Sequence, residues 1–206
     1  MSGGAPSASR PDSLPAHYSS GVLRALDVVL ALGGLIVTSP LIVFALGLIA
    51  LESRGNPIFA QPRVGRGERV FVCYKLRTMK SGSASVGTHE ISSAQVTRVG
   101  LHLRRLKIDE LPQLFNVVRG DMSLVGPRPC LPNQDEVIAA RRAQDVFSVR
   151  PGITGAAQLA GIDMSMPVEL ALKDRDHLDM SAAAYVSAVI ATVLGGGRGD
   201  RIKADA

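Results

Sequence analysis

The sequence predicts an α+β protein, mainly helical, in which an N-terminal apolar helix–break–helix precedes a compact domain with a short β-hairpin and amphipathic helices. Three observations carry that expectation. Val28 to Leu51 runs 24 positions without a charged residue, "RVFVCYKLRTM" is rich in β-branched and aromatic residues, and much of the remainder reads as charged helical segments punctuated by Pro and Gly. A chain of 206 residues can build one domain with a real core plus a small accessory element.

Residues 1–19, rich in Ser, Ala, Gly and Pro without periodicity, read as a disordered tail. Residues 20–54 hold the uncharged run, long enough at about 1.5 Å per residue to span a bilayer core. The run is too long, and begins too far into the chain, for a cleaved signal peptide. Pro40 falls in its middle, where it removes a helical hydrogen bond, and the Ser39 hydroxyl is placed to satisfy the freed carbonyl. Positive charge flanks both sides, Arg10 and Arg24 before and Arg54, Arg63 and Arg66 after, so the positive-inside rule does not assign the ends to opposite faces. A re-entrant hairpin that dips into one leaflet is the expected arrangement, with a kinked spanning helix as the alternative. Arg24 and Asp27 are read either as a head-group anchor or as a simple helix-face pair.

Residues 55–206 form the soluble domain. A turn at Gly65 to Glu68 closes the hairpin, and Ser81 to Ser93 is a polar loop, either a ligand-covering segment or an ordinary connector. "VTRVGLHLRRLKI" leads by helix into "KIDELPQLFNVVRGDMSLVGPRP". "LPNQDEVIAARRAQDVFSVRPGITGAAQLAG" gives a charged helix ending in a Pro/Gly turn, and the remainder reads as two helices. Ala182 to Leu194 is weakly amphipathic and packs in the core or lies on the membrane surface. No internal repeat is evident.

The formal charge of +5 and pI of about 9.6 point to anionic partners such as phosphates, nucleic acid or acidic lipid. With 4% aromatic residues and no Trp, stacking platforms are scarce and nucleic acid is not expected as a partner. Cys73 and Cys130 lack metal or disulfide spacing and read as small core residues. His17, His89, His102 and His177 are scattered, with no zinc pattern.

Asp109 is read as a helix N-cap, with Glu110 in the first turn, Pro112 where no N–H partner is needed, and Gly120 ending the helix. Taken alone, the two carboxylates are ordinary helix-cap acids. Arg104 and Arg105 before them, Arg119 after, and Arg128 held between prolines in "GPRP" change that reading, because arginines around a helix N-terminus make a phosphate site. A carboxylate there is a metal ligand, an acid/base or a nucleophile, and adjacent residues on a helix point in different directions, so Asp109 and Glu110 should differ in role.

"YKLRTM", "KIDELPQLFNVVRGDMSLVGPRP" and "VRPGITGAAQLAGIDMS", downstream of an apolar run containing "SP", resemble the bacterial sugar transferase family, the small monotopic phosphoglycosyl transferases that begin glycan assembly on a polyprenol carrier. The likeness covers residues 20–203 in order. It implies that residues 55–206 are a catalytic domain on the cytoplasmic face of the bacterial inner membrane, associated with one leaflet. It implies that Asp109 attacks a nucleoside diphosphate sugar, usually a UDP-sugar, releasing UMP, and that polyprenol phosphate then takes the phosphosugar. Glu110 becomes general base or metal helper, with Asp109 and Glu110 the Mg²⁺ ligands. Lys75, Arg77, Arg104 and Arg128 become phosphate-holding residues, and Ser39 and Pro40 the hairpin break. Leu76 stands where the family usually has Phe, and Ala156 where a larger residue is frequent, which bears on the sugar rather than on catalysis. A catalytically silent membrane scaffold for glycan assembly enzymes is the alternative function. A homo-oligomer and downstream glycosyltransferases are open as protein partners.

Overall fold

The fold comes from a computed structural model that describes residues 21–80 and 95–194. The tail at 1–19, the polar loop Ser81 to Ser93 and the glycine-rich C-terminal stretch after Leu194 lie outside the described residues.

The uncharged run forms one helix, α1 (Gly21–Glu52), long and apolar enough to cross a membrane. In place of two helices separated by a break, the helix continues through Pro40. The reason is local: proline frees the Ile36 carbonyl four residues back, and the Ser39 hydroxyl donates to that oxygen at 2.8 Å, while Thr38 donates to Gly34 O at 2.7 Å. The middle of α1 is bare, with Ile36, Val37, Val43 and Phe44 all exposed.

Both ends of α1 dock on the rest of the chain. Near the start, the Arg24 guanidinium donates to Val117 O at 2.7 Å, Val118 O at 3.2 Å and Met122 O at 3.4 Å. Asp27, only 4% exposed, accepts from Ser123 Oγ at 2.9 Å, Leu124 N at 3.0 Å and the Tyr185 hydroxyl. Arg24 and Asp27 form a helix-face pair at 3.9 Å, and their hydrogen bonds run to the domain. At the far end, Glu52 accepts from Arg98 N at 2.8 Å and Val99 N at 3.1 Å.

The hairpin is β1 (Ile58–Val64) and β2 (Val70–Leu76), antiparallel, in register from Ile58↔Leu76 to Val64↔Val70. Its turn contains Gly67 at φ 62°, a left-handed position. Next comes α2 (Arg98–Arg105), capped by Thr97, whose hydroxyl accepts from Gly100 N. Then α3 (Gln113–Arg119) stops at Gly120, φ 100°. A second, two-stranded parallel sheet pairs β3 (Ser123–Val125) with β4 (Gly152–Thr154), an element not expected from the sequence. Gly126 and Gly152 are required there: a Cβ on Gly152 would sit 2.1 Å from Gly126 N, and one on Gly126 would sit 2.4 Å from Arg150 O. Between these strands lies α4 (Asp135–Ala143), the expected charged helix, and after them α5 (Ala156–Leu159), α6 (Pro167–Asp174) and α7 (Ala182–Val193). Tyr185 and Ala188 of α7 pack with Val125 in the core, while Val186 and Ile190 stay exposed.

Apolar packing is distributed. Ala31 of α1 joins Cys73, Val117 and Met122, and Ala45 and Ile49 of the same helix join Leu76 and Leu103. Both cysteines are free and buried, the core role expected of them.

Candidate functional site

Strand alternation turns Cys73 and Lys75 of β2 toward α3, and Gln61 and Arg63 of β1 toward the interior, where both are buried. Cys73, Lys75 and Arg63, with Glu110, Gln113, Arg128, Pro129, Gly152 and Ile153, line one cleft. Its centre is a carboxylate held by two cations: Lys75 Nζ lies 2.7 Å and Arg128 Nη2 3.4 Å from the same oxygen, Glu110 Oε1. Burial by itself would raise the Glu110 carboxyl, but Lys75, Arg128 and Lys107 outweigh it and bring it down to about 2. Glu110 is therefore an anion throughout the working pH range.

Asp109 and Glu110 do not begin a helix, as the N-cap reading expected. They sit in a 3₁₀ turn, Ile108–Glu110, entered through Lys107 in a left-handed conformation (φ 56°), and Pro112 rather than Asp109 occupies the N-cap of α3. The turn forms because Pro112 has no N–H to extend a helix backward through it, while Glu110 N closes on Lys107 O at 3.3 Å. Nor do the carboxylates lie open: Asp109 is 8% exposed.

Asn116 bolts this turn to the hairpin. Fully buried, it donates from Nδ2 to Val72 O at 2.7 Å and accepts at Oδ1 from Tyr74 N at 3.1 Å, so α3 pairs with the edge of β2 much as a strand would. That pairing sets the distance between Lys75, one residue beyond Tyr74, and Glu110.

Of the residues expected from the sequence, the structure thus gathers Lys75, Glu110 and Arg128, with Asp109 beside Glu110 in the turn. Arg104 turns to β2's exit, its Nε donating to Thr78 Oγ1 at 2.8 Å, and its Nη1 is buried without a hydrogen bond among the described residues. Arg77 goes elsewhere: it donates to Arg54 O at 3.1 Å and to Ser53 O at 2.7 Å, holding the chain just after α1. Ser39 and Pro40 lie far along α1, where the hydroxyl repairs the proline gap. Arg63 and Gln113 in the cleft wall, and Asn116 behind it, are additions to the site expected from the sequence. Arg63 carried a signal in its two-residue spacing from Gln61, which places both on one face of β1; Asn116, inside an apolar run, carried none. Among the described residues no group of three or more His, Cys, Asp or Glu side chains is gathered to cage a metal.

Comparison with known proteins gives an independent line. Residues 18–193 match the family model described as bacterial sugar transferase. The chain is 41% identical over 152 residues to UDP-N-acetylgalactosamine-undecaprenyl-phosphate N-acetylgalactosaminephosphotransferase of Aeromonas hydrophila, covering 71% of this chain and 36% of that protein. It is 45% identical over 143 residues to UDP-glucose:undecaprenyl-phosphate glucose-1-phosphate transferase of Caulobacter vibrioides, covering 68% of this chain and 54% of that protein. Against the exopolysaccharide production protein ExoY of Sinorhizobium fredii it is 36% identical over 155 residues, covering 67% of this chain and 68% of that protein. The alignments with the first two therefore span about a third to a half of those relatives.

Proposed function

Because the chain belongs to the bacterial sugar transferase family, we propose that it transfers a sugar-1-phosphate from a nucleoside diphosphate sugar, a UDP-sugar, to polyprenol phosphate. The observation that carries this reading is the convergence of Lys75 and Arg128 on one oxygen of Glu110 beside Asp109: with Arg63 on the same wall, three cations against two carboxylates leave a net positive seat for a diphosphate.

In the first step an oxygen of Asp109 attacks the sugar-bearing phosphorus, the bond from that phosphorus to the bridging oxygen breaks, and UMP leaves with the electron pair. The phosphosugar is then an acyl phosphate on Asp109. In the second step an oxygen of polyprenol phosphate attacks the same phosphorus and Asp109 is released as carboxylate. Lys75 and Arg128 hold and neutralise the phosphate oxygens. Glu110, with its carboxyl near 2, is too acidic to take a proton at neutral pH, so its role is to hold Lys75 and Arg128 in place and to serve as a metal ligand. Two adjacent hard carboxylates, too few for an all-protein cage, fit a Mg²⁺ ion that shares its coordination with substrate phosphates, and Asp109 and Glu110 would hold it. Mg²⁺ would supply charge neutralisation on the phosphate oxygens.

In this reading 1–19 is a tail, 20–54 the membrane anchor and 55–206 the catalytic domain on the cytoplasmic face. Support for a re-entrant anchor comes from its ends. Arg24 and Asp27 at one end and Glu52 at the other all bond to the same domain, while the apolar middle stays bare. A straight spanning helix would place those ends on opposite sides of about 30 Å of hydrocarbon.

The test is UMP release by the full chain from a panel of UDP-sugars with Mg²⁺ and polyprenol phosphate. Release dependent on one donor is expected; no release from any donor by folded protein favours the silent scaffold. Labelling of cysteines introduced before Arg24 tests the anchor, and a periplasmic N-terminus would sink the re-entrant arrangement.

A further inference from the structure

The loop that presents Arg128 is held by its backbone at every residue. Four consecutive carbonyls accept hydrogen bonds from four donors: Pro127 O from Gly152 N at 2.9 Å, Arg128 O from Arg141 Nη1 at 2.8 Å, Pro129 O from Arg63 Nη1 at 3.0 Å and Cys130 O from Val64 N at 2.9 Å. Two of these donors are backbone groups of neighbouring strands. The other two are buried arginines, and Arg141 stands outside the cleft altogether.

Arg141 lies on α4 and is 1% exposed. Its Nε and Nη2 donate to Asp174 Oδ2 at 2.9 and 2.6 Å, and its Nη1 is the group on Arg128 O. Asp174, also 1% exposed, ends α6 and is fixed from behind by His177, whose Nδ1 lies 2.9 Å from Asp174 O while Nε2 accepts from Ala156 N at 3.1 Å. A buried ion pair of this kind contributes little net stability compared with apolar residues of similar volume. What an apolar pair would not supply is direction. The planar guanidinium binds a carboxylate along one edge and a carbonyl with its remaining nitrogen, both in fixed geometry, which a lysine cannot do.

We infer that Arg141, oriented by Asp174, is a positioning residue that fixes the backbone of Arg128 so that its guanidinium is aimed at the phosphate seat. The inference rests on the proposed role of Arg128 in holding phosphate. Arg141 makes no contact with substrate and acts only through Arg128.

The experiment is a thermodynamic cycle on the detergent-solubilised full chain, with inorganic pyrophosphate as the probe and calorimetry as the readout. The four proteins are the parent, Arg128→Met, the apolar pair Arg141→Met/Asp174→Leu, and all three changes combined. The apolar pair is chosen because it leaves no unpaired buried charge, and melting curves check that each variant is folded. Weakening of pyrophosphate binding by about 10-fold is expected for the apolar pair and by at least as much for Arg128→Met, with less than about 2-fold further loss in the combined variant. Arg141→Lys, which keeps a cation opposite Asp174 but loses the fork, is expected to weaken binding like the apolar pair. Binding in the apolar pair equal to the parent, or a full additional loss in the combined variant, overturns the inference and leaves the phosphate seat standing. Failure of the parent chain to bind pyrophosphate overturns the seat itself, and the inference with it.

Discussion

Glu110 and Asp174 are both carboxylates withdrawn from solvent and both rest against arginine, yet they are built to opposite rules. Asp174 faces a single cation, Arg141, whose Nε and Nη2 both donate to Oδ2, and burial pushes its carboxyl up against that pairing. Glu110 faces Lys75 and Arg128 at once, and their excess charge drives it down to about 2 despite burial. One centre sets one cation against one carboxylate; the other sets three cations, Lys75, Arg128 and Arg63, on the wall of a cleft with Glu110. Balance serves geometry, whereas surplus serves a ligand that brings negative charge of its own.

The sharpest break between the two centres comes from Asp109→Asn. Turnover should fall by about 1000-fold or more, because the proposed nucleophile is gone. Melting temperature should hardly move, since the amide is nearly isosteric. UMP release and a melting curve on the same sample decide it, and near-normal release would refute the nucleophile assignment.

Asp174→Leu should do the reverse. Stranding the buried Arg141 charge is expected to destabilise the fold by about 3–5 kcal/mol, read from chemical denaturation, and adding Arg141→Met should restore most of that loss.

Lys75→Met probes the surplus. Activity should drop by about 100-fold, and the Glu110 carboxyl should rise because its nearest cation is removed. In the parent chain the folded-state value lies below the unfolded one, so the stabilisation from Glu110 ionisation is complete above about 4.5 and is lost as pH falls through about 2. In the variant the folded-state value moves toward the unfolded one, so the acid loss should be smaller and end at higher pH, which a pH series of melting temperatures will show. The smallest effect is expected at the exposed pair Glu68–Arg142, 2.6 Å apart: Glu68→Gln should leave both melting temperature and activity unchanged within error.

Much of the fold was legible in the sequence because it rests on local signals. The hairpin announced itself by β-branched runs around a glycine turn, α2 by the stretch "VTRVGLHLRRLKI", and the end of α3 by Gly120. The parallel pair β3–β4 was not legible, since "SLV" and "GIT" are three residues each and their pairing is a long-range event. The site was half legible. Lys75, Glu110 and Arg128 do converge, but the N-cap expected at Asp109 gave way to a 3₁₀ turn because Pro112 starts the helix three residues later than the acidic pattern implied. The charges of α4 were indistinguishable by sequence: Arg141 and Arg142 are neighbours, yet one is buried against Asp174 and the other reaches Glu68 in solvent. Only tertiary packing separates them.

The docking of α1 carries a consequence for how the protein is made. Arg24 neutralises the carbonyl end of α3, and Glu52 caps the free amides at the start of α2, so one apolar segment completes the termini of two helices in the domain. Anchor and domain are then a single folding unit. A newly made chain cannot finish folding its domain until both ends of the apolar segment are home, and a version trimmed of that segment for convenience in expression would lose these helix-end bonds along with it.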